Sequence, residues 1–382
     1  MPVEVNTGVE IKPVRSLLGR RAFVDFPFRL FKQDPTWVPP LRISVFDRIS
    51  PKYPANEHQD TALWMAYRKG KAVGRIGACV DHKFNEFQDQ SWAWVGFFEC
   101  FDDPEVADAL FDTACRWASA KGVEECVGPG SFTTNDECGL LVEGFEYPPM
   151  ILTPQNPRYY EHLWVDAGWE PAMDLWGWRV DKRSATLSDR QRRALERLKA
   201  RGDIEVRSMR MDDFDAEVDR FFEVYHSAWA RNWGFAPMTQ AEIKHQAKNL
   251  KQILDPDLAL IAEKEGKPVG VALVLPDANE PMRRVRSGRL FPTGWWTLLR
   301  GVKRTSGVRV WALGVQAERQ SRAIGPLLYA ELLDRAGRKD NIKRAEASWI
   351  LATNTAMNRA IETAGCERYK TWRMYRRKAL SA

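Results

Sequence analysis

Apolar and polar positions along the chain repeat in two registers, and together they predict alternating strands and helices. Residues 62–81, ALWMAYRKGKAVGRIGACVD, hold two strand-like runs around Lys69-Gly70-Lys71, a hairpin signal. A strand over SWAWVGFFECF (91–101) and a helix from Pro104 to Lys121 follow. Next come Asn156-Pro157-Arg158-Tyr159-Tyr160, a helix closed by Ala167-Gly168, and a strand over DLWGWRV (174–180). The same order recurs later: a hairpin over LALIAEKEGKPVGVALVL (258–275), a strand over VRVWALGV (308–315) and a helix after a tight turn. In the strand Glu346 to Ala352, Glu346, Ser348 and Ile350 share one face and Ala347, Trp349 and Leu351 the other. Asn354 and a further helix before Ala364-Gly365 complete the second set.

A repeated order of this kind implies two domains of one plan, each a mixed twisted sheet flanked by helices, in the α/β (mixed α+β) class. The polar stretch DKRSATLSDRQRRALERLKARGD between them reads as an exposed helix with Ser188 as its N-cap. The expected division is therefore 1–180, a helical linker 181–203, and 204–382. A chain of 382 residues is long for one domain and sufficient for two cores.

The turn within LGVQAERQSRAIGPLL (313–328) carries candidate chemistry. Consecutive N–H groups of Gln320-Ser321-Arg322-Ala323-Ile324-Gly325 would point into one concavity, and the following helix adds its positive end, which suits a pyrophosphate. Gly325 lets a phosphate approach the backbone, and Pro326 fits the first turn, where its missing donor has no partner to lose. This segment resembles motif A of the GNAT superfamily of acyl-CoA N-acyltransferases, whose turn is Arg/Gln-x-x-Gly-x-Gly/Ala. Ala323 stands where the first glycine is usual. The strand from Glu346, Asn354 and the helix after it resemble GNAT motif B, at the expected order and spacing.

The resemblance implies tandem GNAT-like domains. It also implies that backbone groups of Leu313 and Val315 and the Asn354 side chain line a pantetheine arm, while Gln320, Ser321, Arg322, Ala323, Ile324 and Gly325 hold the pyrophosphate of acyl-CoA. The tyrosine acid usual in the motif B helix is absent, Ile361 lying near its place. In the first half the corresponding turn is Asp102-Asp103-Pro104-Glu105, whose carboxylates would repel a pyrophosphate and fit an N-cap with an acidic first turn. CoA is thus expected only in the second half.

More finely, DPTWVPPLR, VGRIGA, GFFE, NDECGLLVEGF, NWGFAPMT and GRLFPTGWWTLL resemble a bacterial family of tandem GNAT proteins, in or near which bacterial ceramide synthases fall. The implied function is an acyl-CoA-dependent N-acyltransferase acting on a long-chain, sphingoid-type amine. An acetyltransferase for a small amine or amino acid and a non-catalytic acyl-CoA or membrane-binding regulator are the alternatives. An ammonium acceptor must lose a proton, so a base is needed. Glu137 and His58 lead the candidates, with Glu99, Asp136 and Tyr225 beside them; each also has a reading as a cap, a buried hydrogen bond or a domain contact.

Composition adds little except in one place. Six scattered cysteines lack CxxC spacing, and His82, His162 and His245 lack metal-ligand spacing, so no metal is expected. MPVEVNTGVEIKPV lacks the apolar core of a signal peptide and no stretch reaches the roughly twenty apolar residues of a spanning helix, so a cytoplasmic protein is expected. The net charge of +6 is modest, but residues 283–304 hold seven cations and no acid, Arg289 among the cations and Leu290, Phe291, Trp295 and Trp296 between the two basic clusters. Indole and apolar groups between cations suit an anionic membrane surface, here the inner face of the cell membrane. A solvated amphipathic helix is the second reading of that segment; nucleic acid is not expected, because the rest of the chain is not strongly basic.

Overall fold

The computed structural model describes residues 8–185, 189–317 and 323–380, and the chain divides into two compact units. The first comprises Met1–Leu175, Val285–Gly294 and Thr371–Ala382; the second comprises Trp176–Arg284 and Trp295–Lys370.

The first unit is built on strands β1 (Val9–Pro13), β2 (Gln59–Arg68), β3 (Lys71–Asp81), β4 (Trp92–Cys100), β5 (Glu125–Gly128) and β6 (Leu140–Glu143). The β2–β3 hairpin turns through Lys69 and Gly70, both at positive φ (49° and 73°), as a tight two-residue turn requires. Strands β1 to β4 pair antiparallel and β4 runs parallel to β5, Trp92 beside Glu125 and Trp94 beside Val127. Strand β7 (Glu170–Asp181) begins in this unit. The helix Pro104–Ala120 starts as its sequence dictates: Asp103 accepts from the Val106 N–H, and Pro104 occupies the first turn. Its Leu110 and Val106 lie so close over Gly74 that a Cβ there would meet Leu110 at 2.7 Å. Tryptophan fills much of this core: Trp94, Trp164 and Trp169 are buried, and Trp164 lies 4.5 Å from Trp169 between ring centroids.

The second unit contains β8 (Glu205–Ser208), β9 (Ala259–Lys264), β10 (Lys267–Pro276), β11 (Gly307–Val315) and β12 (Arg344–Leu351), in the order β12-β11-β10-β9-β8. The last strand, β13 (Glu367–Lys378), begins here and ends in the first unit. Strands β8 to β11 are antiparallel and β11 runs parallel to β12. The register of β10 on β11 slips from Leu273/Ala312 to Val274/Val310, which leaves Trp311 as an extra residue in β11. The helix Ile324–Gly337 covers one face, where Ile324 and Leu328 join Val308, Val310, Leu313 and Val315 in one apolar cluster. Gly270 permits this close packing, since a Cβ there would lie 2.6 Å from Ile324. The helix Phe214–Trp229 covers the opposite face with Phe221 stacked on Trp311. The helix Asp189–Arg201 is not wholly exposed: Leu195 is buried against Leu327 and Ala330, and Ser188 lies outside the described residues.

Candidate functional site

In the second unit, β11 and β12 are paired only from Gly307/Arg344 to Val310/Ala347, yet both strands continue, to Val315 and Leu351. Past the last pair, Leu313 and Val315 keep their pairing with Ala272 and Gly270 of β10 and are half-exposed. The result is a wedge whose β11 side offers main-chain groups to a ligand. The bulge at Trp311 lies at its start, where a strand pair would otherwise stay in register. Beyond β11, Gln316 donates to Glu223 and the Ala317 N–H to Ser227, which ties the start of the turn to the helix Phe214–Trp229. Gln320, Ser321 and Arg322 lie outside the described residues. Ala323 precedes the helix and Ile324 is buried under it, while a Cβ on Gly325 would meet nothing within 4 Å among the described residues. The first turn of this helix is the kind of N-terminus that could hold a phosphate, and the free edge of the wedge could hold an extended chain. Asn354 caps the helix Thr355–Thr363, its Oδ1 accepting from the Met357 N–H at 3.2 Å.

Tyr225 belongs to an aromatic wall on the other face of β11. Phe221, Tyr225 and Trp229 follow one another at helical spacing, so their rings align. Tyr225 stacks 4.8 Å from Trp229 and is nearly parallel to Trp311, at 5° and 6.0 Å. Gly314 is required beneath them, because a Cβ there would stand 2.3 Å from the Trp229 ring. Tyr225, Trp229 and Trp311 are all half-exposed, so the wall presents apolar surface beside the wedge.

At the foot of the wedge lies a buried polar cluster to which sequence reasoning gave no role. Arg309 is in register with Glu346, and both are almost wholly buried, at 3 % and 2 % exposure. Arg309 Nε donates to Ser348 Oγ and its Nη2 to the Ser348 carbonyl, each at 2.9 Å. Ser348 Oγ and Tyr369 Oη both donate to the Glu346 carboxylate. Burial raises the Glu346 carboxyl above the usual range, against the pull of Arg309, Ser348 and Lys370. The signal in the sequence is the alternation of Glu346 with Ser348 on one face of the strand, opposite Ala347, Trp349 and Leu351.

The remaining candidates belong to the first unit, where two of them join one network. His58 Nδ1 lies 3.0 Å from Asp81 Oδ1, Gln59 donates to the other Asp81 oxygen at 2.8 Å, and Arg48 links Gln59 to Asp136, the last at 2.9 Å. Burial works against the Asp81 anion, yet the bonds from His58, Gln59 and the Phe84 N–H hold its carboxyl below the usual range. Arg48 is wedged between the Tyr53 and Phe132 rings, 4.5 and 4.9 Å from their centroids. Glu137 is next to Asp136 in sequence but its residue is exposed. Glu99 sits elsewhere, accepting from Tyr160 at 2.7 Å with Arg75 at 3.6 Å, and burial raises its carboxyl.

In the basic segment, Phe291, Trp295, Trp296 and Leu299 are exposed, at 78, 43, 44 and 54 %. Arg289 is exposed and Leu290 half-buried. Arg300 lies over the Trp296 ring at 3.9 Å on the helix Gly294–Val302. One cation has a structural use: Arg286 donates to the carbonyls of Trp37 and Asp34 at 2.9 Å. Among the described residues no helix is long and apolar enough to cross a membrane.

A parallel strand pair that opens into a wedge above a helix N-terminus defines a fold suited to holding an acyl-CoA thioester. Residues 218–365 match the acetyltransferase (GNAT) family. The chain is 34 % identical over 384 residues to a protein of Caulobacter vibrioides called bacterial ceramide synthase, covering 98 % of this chain and 99 % of that one. It is also 34 % identical to Protein YghO of Escherichia coli over 371 residues, 95 % of this chain and 94 % of the other. Its fold matches a tandem GNAT protein from the clavulanic acid biosynthesis pathway at a TM-score of 0.56 and 13 % identity, over 98 % and 99 % of the two chains. A GCN5-related N-acetyltransferase from Sphaerobacter thermophilus matches at 0.53 and 12 %, over 98 % and 97 %. The chain belongs to the GNAT family and is a GNAT-type N-acyltransferase, a class that uses acyl-CoA and an amine acceptor.

Proposed function

We propose that this protein transfers a long acyl chain from acyl-CoA to a long-chain, sphingoid-type amine, and that it does so at the inner face of the cell membrane. The observation that carries the reading is the half-exposed wall of Tyr225, Trp229 and Trp311 along the wedge, on a chain related over nearly its full length to a bacterial ceramide synthase. Each methylene moved from water onto such a surface contributes about 0.8 kcal/mol, so a long chain gains far more than an acetyl group. A small polar amine has no use for the wall.

In this reading the main chain of Leu313 and Val315 holds the pantetheine, the turn that ends at Gly325 holds the pyrophosphate, and a main-chain N–H polarises the thioester carbonyl. Exposed Trp295, Trp296 and Leu299, followed by Arg300, Lys303 and Arg304, favour an anionic lipid surface, each cation adding about 1 kcal/mol near it. An acceptor that resides in the membrane then meets the enzyme where it docks.

The test is release of free CoA thiol by purified protein, with palmitoyl-CoA and acetyl-CoA each offered with sphinganine and with small amines. Turnover of palmitoyl-CoA with sphinganine is expected. Turnover confined to acetyl-CoA and a small amine would overturn the substrate assignment.

A further inference from the structure

The buried cluster at the foot of the wedge has a form that packing alone does not require. Val310 and Ala347 are the last paired residues of β11 and β12, so Ser348 is the first residue of β12 beyond the closed part of the ladder. It shares a strand face with Glu346, and the side chain of Arg309 reaches it on that face. The bulged Trp311 follows Arg309 by two residues on β11. The polar cluster thus adjoins the point where the strands part.

A serine hydroxyl has one proton and two lone pairs. The proton of Ser348 is directed to Glu346 and one lone pair is used by Arg309 Nε, which leaves one lone pair for a donor arriving in the wedge. The group that must give up a proton there is the acceptor ammonium. Resting on the N-acyl-transfer reading above, we infer that Glu346 takes this proton through the Ser348 hydroxyl.

The steps balance. An ammonium N–H bond breaks and its electron pair stays on nitrogen; the proton passes to Ser348 Oγ as the Ser348 proton passes to Glu346. The freed pair attacks the thioester carbonyl carbon, the C–S bond breaks with its pair on sulfur, and the thiolate takes the second proton shed by nitrogen. The products are the amide, CoA thiol and a protonated Glu346, which returns its proton to water through half-exposed Tyr369. The groups facing Glu346 are Arg309 from β11, Ser348 from its own strand, and Tyr369 and Lys370 from β13, with Arg179 of β7 over the Tyr369 ring. Burial favours the neutral form of this carboxyl and raises it above the usual range, while Arg309 and Lys370 pull the other way, so opposing influences meet on the group that takes the proton.

The experiment is the pH dependence of kcat for the wild type, Glu346→Gln, Ser348→Ala and Tyr369→Phe with palmitoyl-CoA and sphinganine, alongside palmitoyl-CoA binding by calorimetry. Glu346→Gln should lower kcat about 100-fold near neutral pH, with donor binding unchanged. The defect should shrink as pH approaches the pKa of the amine itself, where no base is needed. Ser348→Ala should show the same convergence with a smaller loss, and it carries the test should Glu346→Gln fail to fold. Losses equal at every pH, or absent, in variants that bind donor normally would overturn the inference while leaving the transferase reading intact. A wild type that transfers acyl groups to no amine would overturn the reading and the inference with it.

Discussion

The parallel pair β4/β5 of the first unit and the parallel pair β11/β12 of the second begin alike and end differently. Each is hydrogen-bonded over its first few residues. In the first unit, the chain leaving β5 then runs straight onto β4: the Gly130 N–H donates to the Val95 carbonyl at 2.9 Å, and a Cβ on Gly96 would stand 1.8 Å from the Gly130 oxygen. Backbone fills the space against backbone. In the second unit the strands part after Val310 and Ala347, and in the first turn of the helix Ile324–Gly337 a Cβ on Gly325 would meet no described residue within 4 Å. The helices answer to the same logic. Asp103 caps the helix of the first unit while Arg68 pairs with Asp103 and Glu105, so its N-terminus is already occupied by protein groups. One topology therefore gives a closed pair and an open one, and glycine marks both, serving contact in the first and access in the second.

That contrast is broken most severely at Gly96. A Gly96→Val substitution should destabilise the protein by about 3 kcal/mol or more, read as a large fall in the thermal midpoint, because two main chains would have to separate. Gly325→Trp should do the reverse: little change in midpoint, with palmitoyl-CoA binding weakened at least about tenfold in calorimetry. Gly325→Ala should hold or raise the midpoint, since alanine exceeds glycine in helix propensity by up to about 1 kcal/mol. If Gly325→Trp bound donor normally, the open helix end would not be the CoA site.

The parts of this contrast that sequence could reach were local. The hairpin at Lys69-Gly70 and the Asp103 cap were readable because turn and cap chemistry is decided by neighbours. The denial of CoA to the first half rested on the carboxylates of its turn, whereas the structure adds Gly96 against Gly130, residues whose contact no pattern announces. Likewise sequence marks His58 and Asp136 only as separate candidates, and their union through Asp81, Gln59 and Arg48 needs the fold. Alternation places Glu346 on one face of a strand; its meaning depends on Arg309 and Tyr369, 37 and 23 residues away in sequence. Periodicity places a side chain on a face and is silent about what that face meets.

A smaller effect separates a docking helix from a solvated one. Trp295→Ser with Trp296→Ser should lower co-sedimentation with phosphatidylglycerol vesicles several-fold while the thermal midpoint stays put, since both rings are already exposed. Added salt should weaken the wild-type association further, through Arg300, Lys303 and Arg304. Vesicle binding unaltered by both changes would assign the segment to solvent.

The finest test compares the buried carboxyls of the two units. Asp81 is held below the usual range: burial opposes its charge, but His58, Gln59 and the Phe84 N–H outweigh burial. Glu346 is raised, because burial outweighs Arg309, Ser348 and Lys370. Linkage gives these opposite signs. For Asp81 the folded state binds its proton more weakly than the unfolded chain, so its contribution is present above about pH 4 and lost as pH falls through the folded value. For Glu346 the folded state binds the proton more tightly, so the contribution is greatest below about pH 4 and lost as pH rises through the folded value. Thermal midpoints from pH 3 to 8 should therefore show the gap between wild type and Asp81→Asn closing as acid is added below about pH 4. The gap between wild type and Glu346→Gln should widen on going from neutral pH down to about 4. Parallel behaviour of the two variants would mean that these carboxyls are governed by the charge of the whole molecule, and Glu346 would lose the local poise that its role as proton acceptor requires.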